Sequence, residues 1–298
     1  MRTNNAVVAF FSGVAFVAVL AAGTPCLAQI DHNITPVTTT AESKIGNITG
    51  HAYGVVDSGA QVYRRYCVGC HGPAGDGNGE NAQWIDPKPR DFTAATFKCR
   101  STPTGTLPTD DDLYDSITRG FVNSNMPSWR PLPPDIRANL VAMVKSFSPR
   151  WQTEKPGTPI QITAETPVTI ESVLHGRELF QKMECWKCHG PAGKGDGPSA
   201  GTLTDSKDNP IKPFNFAAGD RFKCGVTNAD LYRDFMTGLD GTPMPSFVDV
   251  IKPEEAWDLV HFLRTLQPME TKERDLWKSY AAAHKADIKP IGPDTGAQ

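Results

Sequence analysis

Two stretches of this chain repeat the same order of residue types, and this internal repeat limits the fold more than composition does. Each stretch begins with Cys-x-x-Cys-His, at residues 67–71 and 185–189, and each has a Met-Pro-Ser segment, at 126–128 and 244–246, equally far beyond its His. Further matched segments are Phe-Lys-Cys at 97–99 and 222–224 and Thr-x-x-Asp-Leu-Tyr at 109–114 and 227–232. The sequence therefore predicts two tandem copies of one domain, which we call the first and second repeat.

Each Thr-x-x-Asp segment resembles a capping box, with Asp in place of the usual Glu. Gly120 and Gly238 follow each segment at the position where a glycine often ends a helix. Apolar residues also recur at helical spacing before each Cys motif and again near the end of each repeat. We expect the helices that precede the Cys motifs to begin at about Ser58 and Ser172.

The Cys-x-x-Cys-His spacing is the attachment signal for a c-type haem. The two thiols add across the vinyl groups of the haem, and the His that follows binds the iron. The predicted attachment residues and proximal ligands are Cys67, Cys70 and His71 in the first repeat and Cys185, Cys188 and His189 in the second. A structural zinc site, which would usually need a second Cys or His pair at short range, and a thiol redox pair are the alternatives.

The ligand opposite the His decides whether the iron transfers electrons or reacts with a substrate. A Met at that position raises the reduction potential relative to a second His. Met126 and Met244 are the candidates because both lie in Met-Pro-Ser segments at equal distance from their His. The alternative is that these two side chains only pack in the core. We expect the His residues that do not recur to lie at the surface or in packing roles: His32, His51, His175, His261 and His284.

The order of these segments resembles a class I c-type cytochrome, present twice, over residues 57–148 and 170–268. The resemblance implies an all-α fold with few or no strands, two covalently attached haem c groups, and transfer of single electrons. It also implies that a carbonyl at Pro89 or Pro213 accepts a hydrogen bond from the second ring nitrogen of each proximal His. Tandem cytochromes of this family are periplasmic electron carriers or redox subunits.

Residues 1–28 have the pattern of a secretory signal peptide, in which Arg2 precedes a mainly apolar run and cleavage follows Ala28. An uncleaved membrane anchor is the alternative. Covalent haem attachment takes place outside the bacterial cytoplasm, so the two signals agree and predict a periplasmic protein. The other predicted segments are a flexible leader at 29–56, a Pro-rich connector at 149–169 and a C-terminal tail at 269–298.

Cys99 and Cys224 occupy matching positions outside the haem motifs. An exported protein meets an oxidising compartment, so these two residues could form one disulfide between the repeats. The alternative is two buried thiols, each packed within its own repeat. Five arginines are available to neutralise haem propionates: Arg90, Arg100, Arg119, Arg221 and Arg233.

Charge and composition narrow the classes of function. The formal net charge is −3, and no basic patch of the kind that nucleic acid requires is present in the sequence. A carrier between a redox donor protein and an acceptor protein is the first hypothesis, with no catalytic residues. The alternative is a haem subunit of a larger respiratory oxidoreductase complex in the periplasm or at the membrane. A dihaem enzyme of the peroxidase or thiosulfate-oxidising type is the third, and it would need an iron without a Met ligand.

Overall fold

Each repeat folds into the same order of helices in the computed structural model, which describes residues 56–293. The predicted signal peptide, His32, His51 and nearly all of the predicted leader lie outside these residues. The helices of the first repeat and its connector are α1 (Val56–Tyr66), α2 (Val68–His71), α3 (Asp110–Arg119), α4 (Pro134–Ser146) and α5 (Arg150–Thr153). Those of the second repeat and tail are α6 (Ile170–Lys182), α7 (Trp186–His189), α8 (Asn228–Thr237), α9 (Pro253–Thr265) and α10 (Lys272–Ala283).

The regular structure of the described residues is helical, as the sequence predicts. Three short 3-10 helices complete it, at Ala82–Trp84, Ala200–Thr202 and Phe216–Ala218. Within residues 56–293 there is no β-strand, and only isolated bridges join Leu107 to Pro156 and Thr204 to Pro210. None of the helices in this part of the chain is both long and apolar enough to cross a bilayer.

The first and last long helices of each repeat cross in close contact. In the first repeat α1 packs on α4, and in the second α6 packs on α9. A glycine lies at each crossing, and a β-carbon at Gly59 or Gly176 would collide with the backbone carbonyl of Asn139 or Asp258. The helix interior disfavours glycine by roughly 1 kcal/mol, so the close approach of the two backbones explains its presence here.

The middle helix of each repeat begins with the capping box that the sequence predicts. The side chain of Thr109 accepts a hydrogen bond from the Asp112 amide, and the Asp112 carboxylate accepts one from the Thr109 amide. Thr227 and Asp230 form the same pair at the start of α8. Asp satisfies the geometry because its shorter side chain still reaches the backbone N–H of the capping residue.

The predicted starts of α1 and α6 lie too far along the chain. Helix α1 already includes Val56, the first residue that the structure describes, so Ser58 lies within the helix and not at its start. Helix α6 begins after Thr169, whose extended backbone lets its hydroxyl accept a hydrogen bond from the Ser172 amide. Ser172 is therefore the third helical residue, where its own hydroxyl accepts from the Thr169 amide and completes a capping box.

The connector between the repeats packs on both of them. After the single turn of α5, the amide of Ile160 donates to the Ser101 carbonyl in the first repeat, at 2.8 Å. A few residues later Thr163 accepts a hydrogen bond from the indole N–H of Trp257 in the second repeat, at 3.0 Å. Both repeats fall within one compact unit of the structure.

Candidate haem-binding sites

The Cys-x-x-Cys-His motifs form two one-turn helices with the same hydrogen bonds and the same ending. In α2 the amide of His71 donates to the Cys67 carbonyl at 2.9 Å, and in α7 the amide of His189 donates to the Cys185 carbonyl at 2.9 Å. Both turns end at a glycine with φ of 77° and ψ of 158°. The turn brings the two thiols and the His of each motif close together, as attachment of a single haem requires.

The proximal His rings are held by backbone carbonyls, but not by those of Pro89 and Pro213. The Nδ1 atom of His71 lies 3.0 Å from the carbonyl oxygen of Arg90, and Nδ1 of His189 lies 3.0 Å from that of Phe214. The accepting residue is thus the one after each proline, so the sequence-based expectation was wrong by one position.

The reason for this difference is that the prolyl carbonyls face the opposite side of the chain. A β-carbon at Gly77 would lie 2.8 Å from the Pro89 oxygen, and one at Gly195 would lie 2.8 Å from the Pro213 oxygen. Consecutive carbonyls of an extended chain point to opposite sides. Because each prolyl carbonyl packs against a glycine, the next carbonyl along the chain is the one that turns toward the His.

Both proximal His rings are prepared to bind a metal ion through Nε2. A carbonyl can only accept a hydrogen bond, so Nδ1 must carry the proton and Nε2 keeps its lone pair. Burial lowers the pKa of His71 and of His189, which keeps both rings neutral at neutral pH. Each ring also contacts a phenylalanine, with ring centroids 4.4 Å apart for His71 and Phe92 and 5.1 Å apart for His189 and Phe216.

The surroundings of the motif cysteines favour neither a zinc site nor a thiol redox pair. None of the four takes part in a disulfide, and burial raises the pKa of the Cys67 and Cys185 thiols to about 12. Zinc binding and thiol exchange both use a thiolate, which a raised pKa disfavours. Within the described residues, moreover, no three His, Cys, Asp or Glu side chains gather as a metal cluster. These observations fit thioether attachment.

The two Met-Pro-Ser loops are built on glycines that end the middle helices. Gly120 and Gly238 have φ of 66° and 69°, in the region that favours glycine. A β-carbon at Gly120 would collide with the backbone of Pro127, and one at Gly238 would lie 2.7 Å from the Pro245 carbonyl carbon. Both glycines therefore permit a close contact between helix end and loop that any other residue would obstruct.

The same hydrogen bonds hold Met126 and Met244 in place. The carbonyl of Met126 accepts from the Phe121 amide at 3.0 Å, and the carbonyl of Met244 accepts from the Leu239 amide at 3.2 Å. The amide of each Met donates to a hydroxyl two residues earlier, at 3.2 Å in both repeats. A serine two residues after each Met donates to a carbonyl at the end of the middle helix, at 2.7 Å in the first repeat and 2.6 Å in the second.

The surroundings of the two Met residues fit the group that the motifs imply. Both side chains are half-buried, and Met244 packs against the same core of the second repeat as Cys185. Near Met126, the indole N–H of Trp129 is buried without a protein acceptor, so a carboxylate of a bound cofactor could accept from it. The donor set of each repeat therefore suits haem c. The assignment of Cys67, Cys70, His71 and Met126, and of Cys185, Cys188, His189 and Met244, stays a prediction.

Cys99 and Cys224 form a disulfide, with their Cα atoms 5.1 Å apart. This bond joins the two repeats across a sequence separation of 125 residues. Of the two alternatives left open by the sequence, the structure contains the disulfide. Both cysteines are buried where the repeats meet.

The distance from His to Met is equal in the two repeats because two differences in segment length cancel. The chain from the proximal His to the disulfide Cys is shorter in the first repeat than in the second. The chain from that Cys to the Thr that caps the middle helix is longer instead, since it runs from Cys99 to Thr109 but from Cys224 only to Thr227. We call residues 100–106 the first-repeat insertion. Residues 204–210 account for most of the extra length between His189 and Cys224, and we call them the second-repeat insertion.

The remaining candidate residues have structural partners. His261 is fully buried between Ser172 and Glu165, and His175 contacts Asp258. His284 lies at the end of α10 and stacks on Tyr280. These contacts agree with the packing and surface roles expected for the non-recurring His residues.

The arginines differ more from expectation, because Arg100 is only 1% exposed. Its guanidinium forms an ion pair with Asp240 in the second repeat, with 3.1 Å between Nη2 and Oδ1. Sequence reasoning proposed it as a partner for haem propionates, yet its donors are directed to protein acceptors. No motif marks this role, since Arg100 lies in the first-repeat insertion and so is not part of the repeated pattern.

The comparisons with known proteins agree with this geometry in both repeats. The model of the family "Cytochrome c" matches residues 173–267, and that of "Cytochrome C oxidase, cbb3-type, subunit III" matches residues 54–144. No curated protein matches the chain. Among solved structures, the chain is similar to one from the Kuenenia stuttgartiensis reducing HAO-like protein complex Kustc0457/Kustc0458, with 42% sequence identity and a TM-score of 0.69.

The alignment with that structure covers 71% of this chain and 96% of the other one, so it extends over both repeats rather than a single motif. Two family models, one for each repeat, and two equivalent sets of His and Met loops lead to the same assignment. The chain belongs to the c-type cytochromes, with two cytochrome c domains and two haem c groups.

Proposed function

We propose that this cytochrome is an exported protein that passes single electrons between protein partners in the periplasm, with His and Met ligands at both irons. The observation that carries the proposal is that the hydrogen bonds of the Met126 loop recur in the Met244 loop. When bound, a haem with His and Met ligands cycles between Fe(III) and Fe(II) and so accepts and releases one electron. Export is supported by the predicted signal peptide and by the attachment motifs.

The residues of each site would limit rearrangement around the cofactor. The carbonyls of Arg90 and Phe214 orient the proximal rings and increase their basicity. The Met loops, held at both ends by hydrogen bonds, would keep the sixth position filled. A filled position leaves no place for a substrate at iron, which favours an electron carrier over a peroxidase or a thiosulfate-oxidising enzyme.

The comparison with solved structures bears on the choice between a mobile carrier and a complex subunit. The similar chain comes from a complex named after two proteins, and almost its whole length aligns with this one. This similarity supports a place for the chain in a larger oxidoreductase complex. We therefore put the subunit hypothesis before the mobile carrier that the sequence alone favoured.

Separation of native extract on a native gel, stained for haem and followed by mass spectrometry, tests the choice. Migration with a large complex supports the subunit hypothesis, and the companion proteins identify the reaction that is served. Migration alone in the soluble periplasmic fraction supports the mobile carrier instead. Recovery of the chain only from the cytoplasm, without haem, would contradict both.

A further inference from the structure

The first-repeat insertion holds the second repeat through the fully buried side chain of Arg100. Within its own repeat, the guanidinium donates to the Phe97 carbonyl at 3.1 Å and to the Thr104 hydroxyl at 2.9 Å. Across the interface it donates to the carbonyls of Thr237 at 2.8 Å and Gly238 at 3.3 Å. One side chain therefore joins two backbones that lie far apart in sequence.

The charge of Arg100 is compensated in the second repeat. Asp240 is 8% exposed and forms the ion pair with the guanidinium. Its carboxylate also accepts from the Gly105 amide, with oxygens 3.2 and 3.3 Å away, while the Thr104 hydroxyl donates to the Thr237 carbonyl at 2.6 Å. A buried ion pair is favourable only when its remaining donors and acceptors are also satisfied, and here they are.

The residues that this insertion holds begin the loop of Met244. Thr237 ends α8, Gly238 turns the chain, and the next residue, Leu239, donates its amide to the Met244 carbonyl. A second arginine of the first repeat also lies against this loop, because a β-carbon at Gly241 would be 3.3 Å from Nη1 of Arg90. The loop is therefore fixed by contacts that come from the other repeat.

The second repeat cannot hold the Met126 loop in the same way. Arg100 lies in the first-repeat insertion, and in the second repeat Cys224 is followed by Gly225, while the residue that matches Asp240 is Val122. Glycine and valine have no side-chain donor or acceptor, so neither half of the ion pair recurs. The first-repeat insertion itself has no counterpart of equal length after Cys224.

We infer that Arg100 is a positioning residue for the second haem site, and that its contacts with Thr237, Gly238 and Asp240 keep the Met244 loop in the ligating position. The inference rests on the proposed function, since it takes Met244 to be the iron ligand. It also predicts that the Met244 ligand of the second haem depends on the first repeat through an ion pair that has no equivalent at the Met126 loop.

The rate at which carbon monoxide binds to each reduced haem tests this inference, because the gas binds only after the Met leaves. The two kinetic phases are assigned with Met126→Ala and Met244→Ala. In the holoprotein, Arg100→Met should make binding at the second haem about tenfold faster and leave the first unchanged. Tenfold corresponds to ~1.4 kcal/mol, at the lower end of what a hydrogen bond to a charged group contributes.

Two further variants separate positioning from a general loss of stability. Arg264→Met removes another buried guanidinium, one that donates to the Asn228 side chain and the Val226 carbonyl within the second repeat, so both rates should stay as in the wild type. If Arg100→Met does not fold, Asp240→Asn keeps the side-chain size, and a smaller acceleration at the second haem is expected. An unchanged rate at the second haem, or equal acceleration at both haems, would overturn the inference.

The same experiment distinguishes failure of this inference from failure of the proposed function. Rapid binding of the gas to the wild-type second haem would show that Met244 does not protect the iron, and both would then fail. If carbon monoxide binds slowly to the wild-type second haem, and equally slowly in Arg100→Met, only the positioning role is refuted.

Discussion

The two repeats of this cytochrome have the same haem-site backbone but differ in what surrounds it. In both, a glycine ends the middle helix, and the Met carbonyl and amide make equivalent hydrogen bonds. The differences are concentrated in two insertions, residues 100–106 and residues 204–210, and each contacts the other repeat. Lys207 of the second-repeat insertion, for example, pairs with Asp91 of the first repeat at 2.6 Å. Duplication thus preserved the ligand geometry, while the segments that vary in length join the two copies.

A second difference lies where the middle helix of each repeat meets the last one. In the first repeat, the Lys145 ammonium pairs with the Asp110 carboxylate at 2.6 Å, and both side chains are buried. In the second repeat the matching residues are Arg264 and Asn228, whose Nε and Oδ1 atoms are 2.6 Å apart. The same contact is thus a charge pair in one repeat and a hydrogen bond to a neutral amide in the other.

The largest expected effect concerns the feature that the repeats share. Met126→Ala and Met244→Ala should each expose one iron, so that each reduced variant rapidly binds one carbon monoxide per protein, whereas the wild type binds the gas only at the slow rate at which its Met residues leave. Gas titration followed by visible absorption measures this. Met269→Ala changes a side chain that is 53% accessible, and it should leave carbon monoxide binding as in the wild type. Binding at only one of the two Ala variants would show that the sites are not equivalent.

Removal of the bond between the repeats should have the next largest effect. Replacing Cys99 and Cys224 together by Ser should lower the free energy of unfolding by ~2–5 kcal/mol, because the disulfide closes a long loop of the unfolded chain. Guanidinium unfolding followed by haem absorption measures the change. The Arg100 contacts should persist in this variant, so the carbon monoxide rates should match the wild type. Titratable free thiols at both positions in the wild-type protein would contradict the assignment.

The charge pair of the first repeat provides a sharper contrast. Asp110→Asn should cost ~3 kcal/mol of unfolding free energy, since it leaves the buried Lys145 ammonium without a counter-charge. Asn228→Ala in the second repeat should cost only ~1 kcal/mol, because Arg264 keeps its bonds to Gln267 and to the Val226 carbonyl. Equal losses in the two variants would remove the distinction between the repeats.

A pH dependence specific to the second repeat would distinguish the two repeats further. Burial, with a smaller contribution from the nearby Asp230, raises the pKa of Asp234 to about 7, while Arg233 and Arg119 oppose the shift. Between its ordinary pKa of ~4 and this value, the folded protein holds a proton that the unfolded chain releases. This contribution to stability therefore declines as pH rises from ~4 to ~7 and is constant above that.

Asp234→Asn should remove this part of the pH dependence, so its melting temperature should vary less with pH than that of the wild type. Asp115→Asn, which changes an acidic residue of α3, is the comparison in the first repeat. A wild-type melting temperature that rises steadily over the same pH range, with the same slope in Asp234→Asn, would show that the carboxyl is not perturbed.

Much of each haem site could be predicted from local sequence. The Cys-x-x-Cys-His turns, the capping boxes of Thr109 and Thr227 and the matching Met loops all depend on residues close together along the chain. The carbonyl that accepts from each proximal His was misplaced by one residue, at Pro89 and Pro213. That error arose because the direction of a carbonyl depends on a glycine contact from another part of the loop, which spacing does not reveal.

The sequence by itself determined that this chain has two haem c attachment turns and two Met loops, because covalent spacing and capping chemistry act over a few residues. Only the tertiary structure decided how the copies are joined. The Cys99–Cys224 disulfide and the Arg100–Asp240 pair both require two surfaces, distant in sequence, to meet face to face. The identity of these residues does not predict which surfaces come into contact, because burial of Arg100 is favourable only where acceptors of the second repeat surround it.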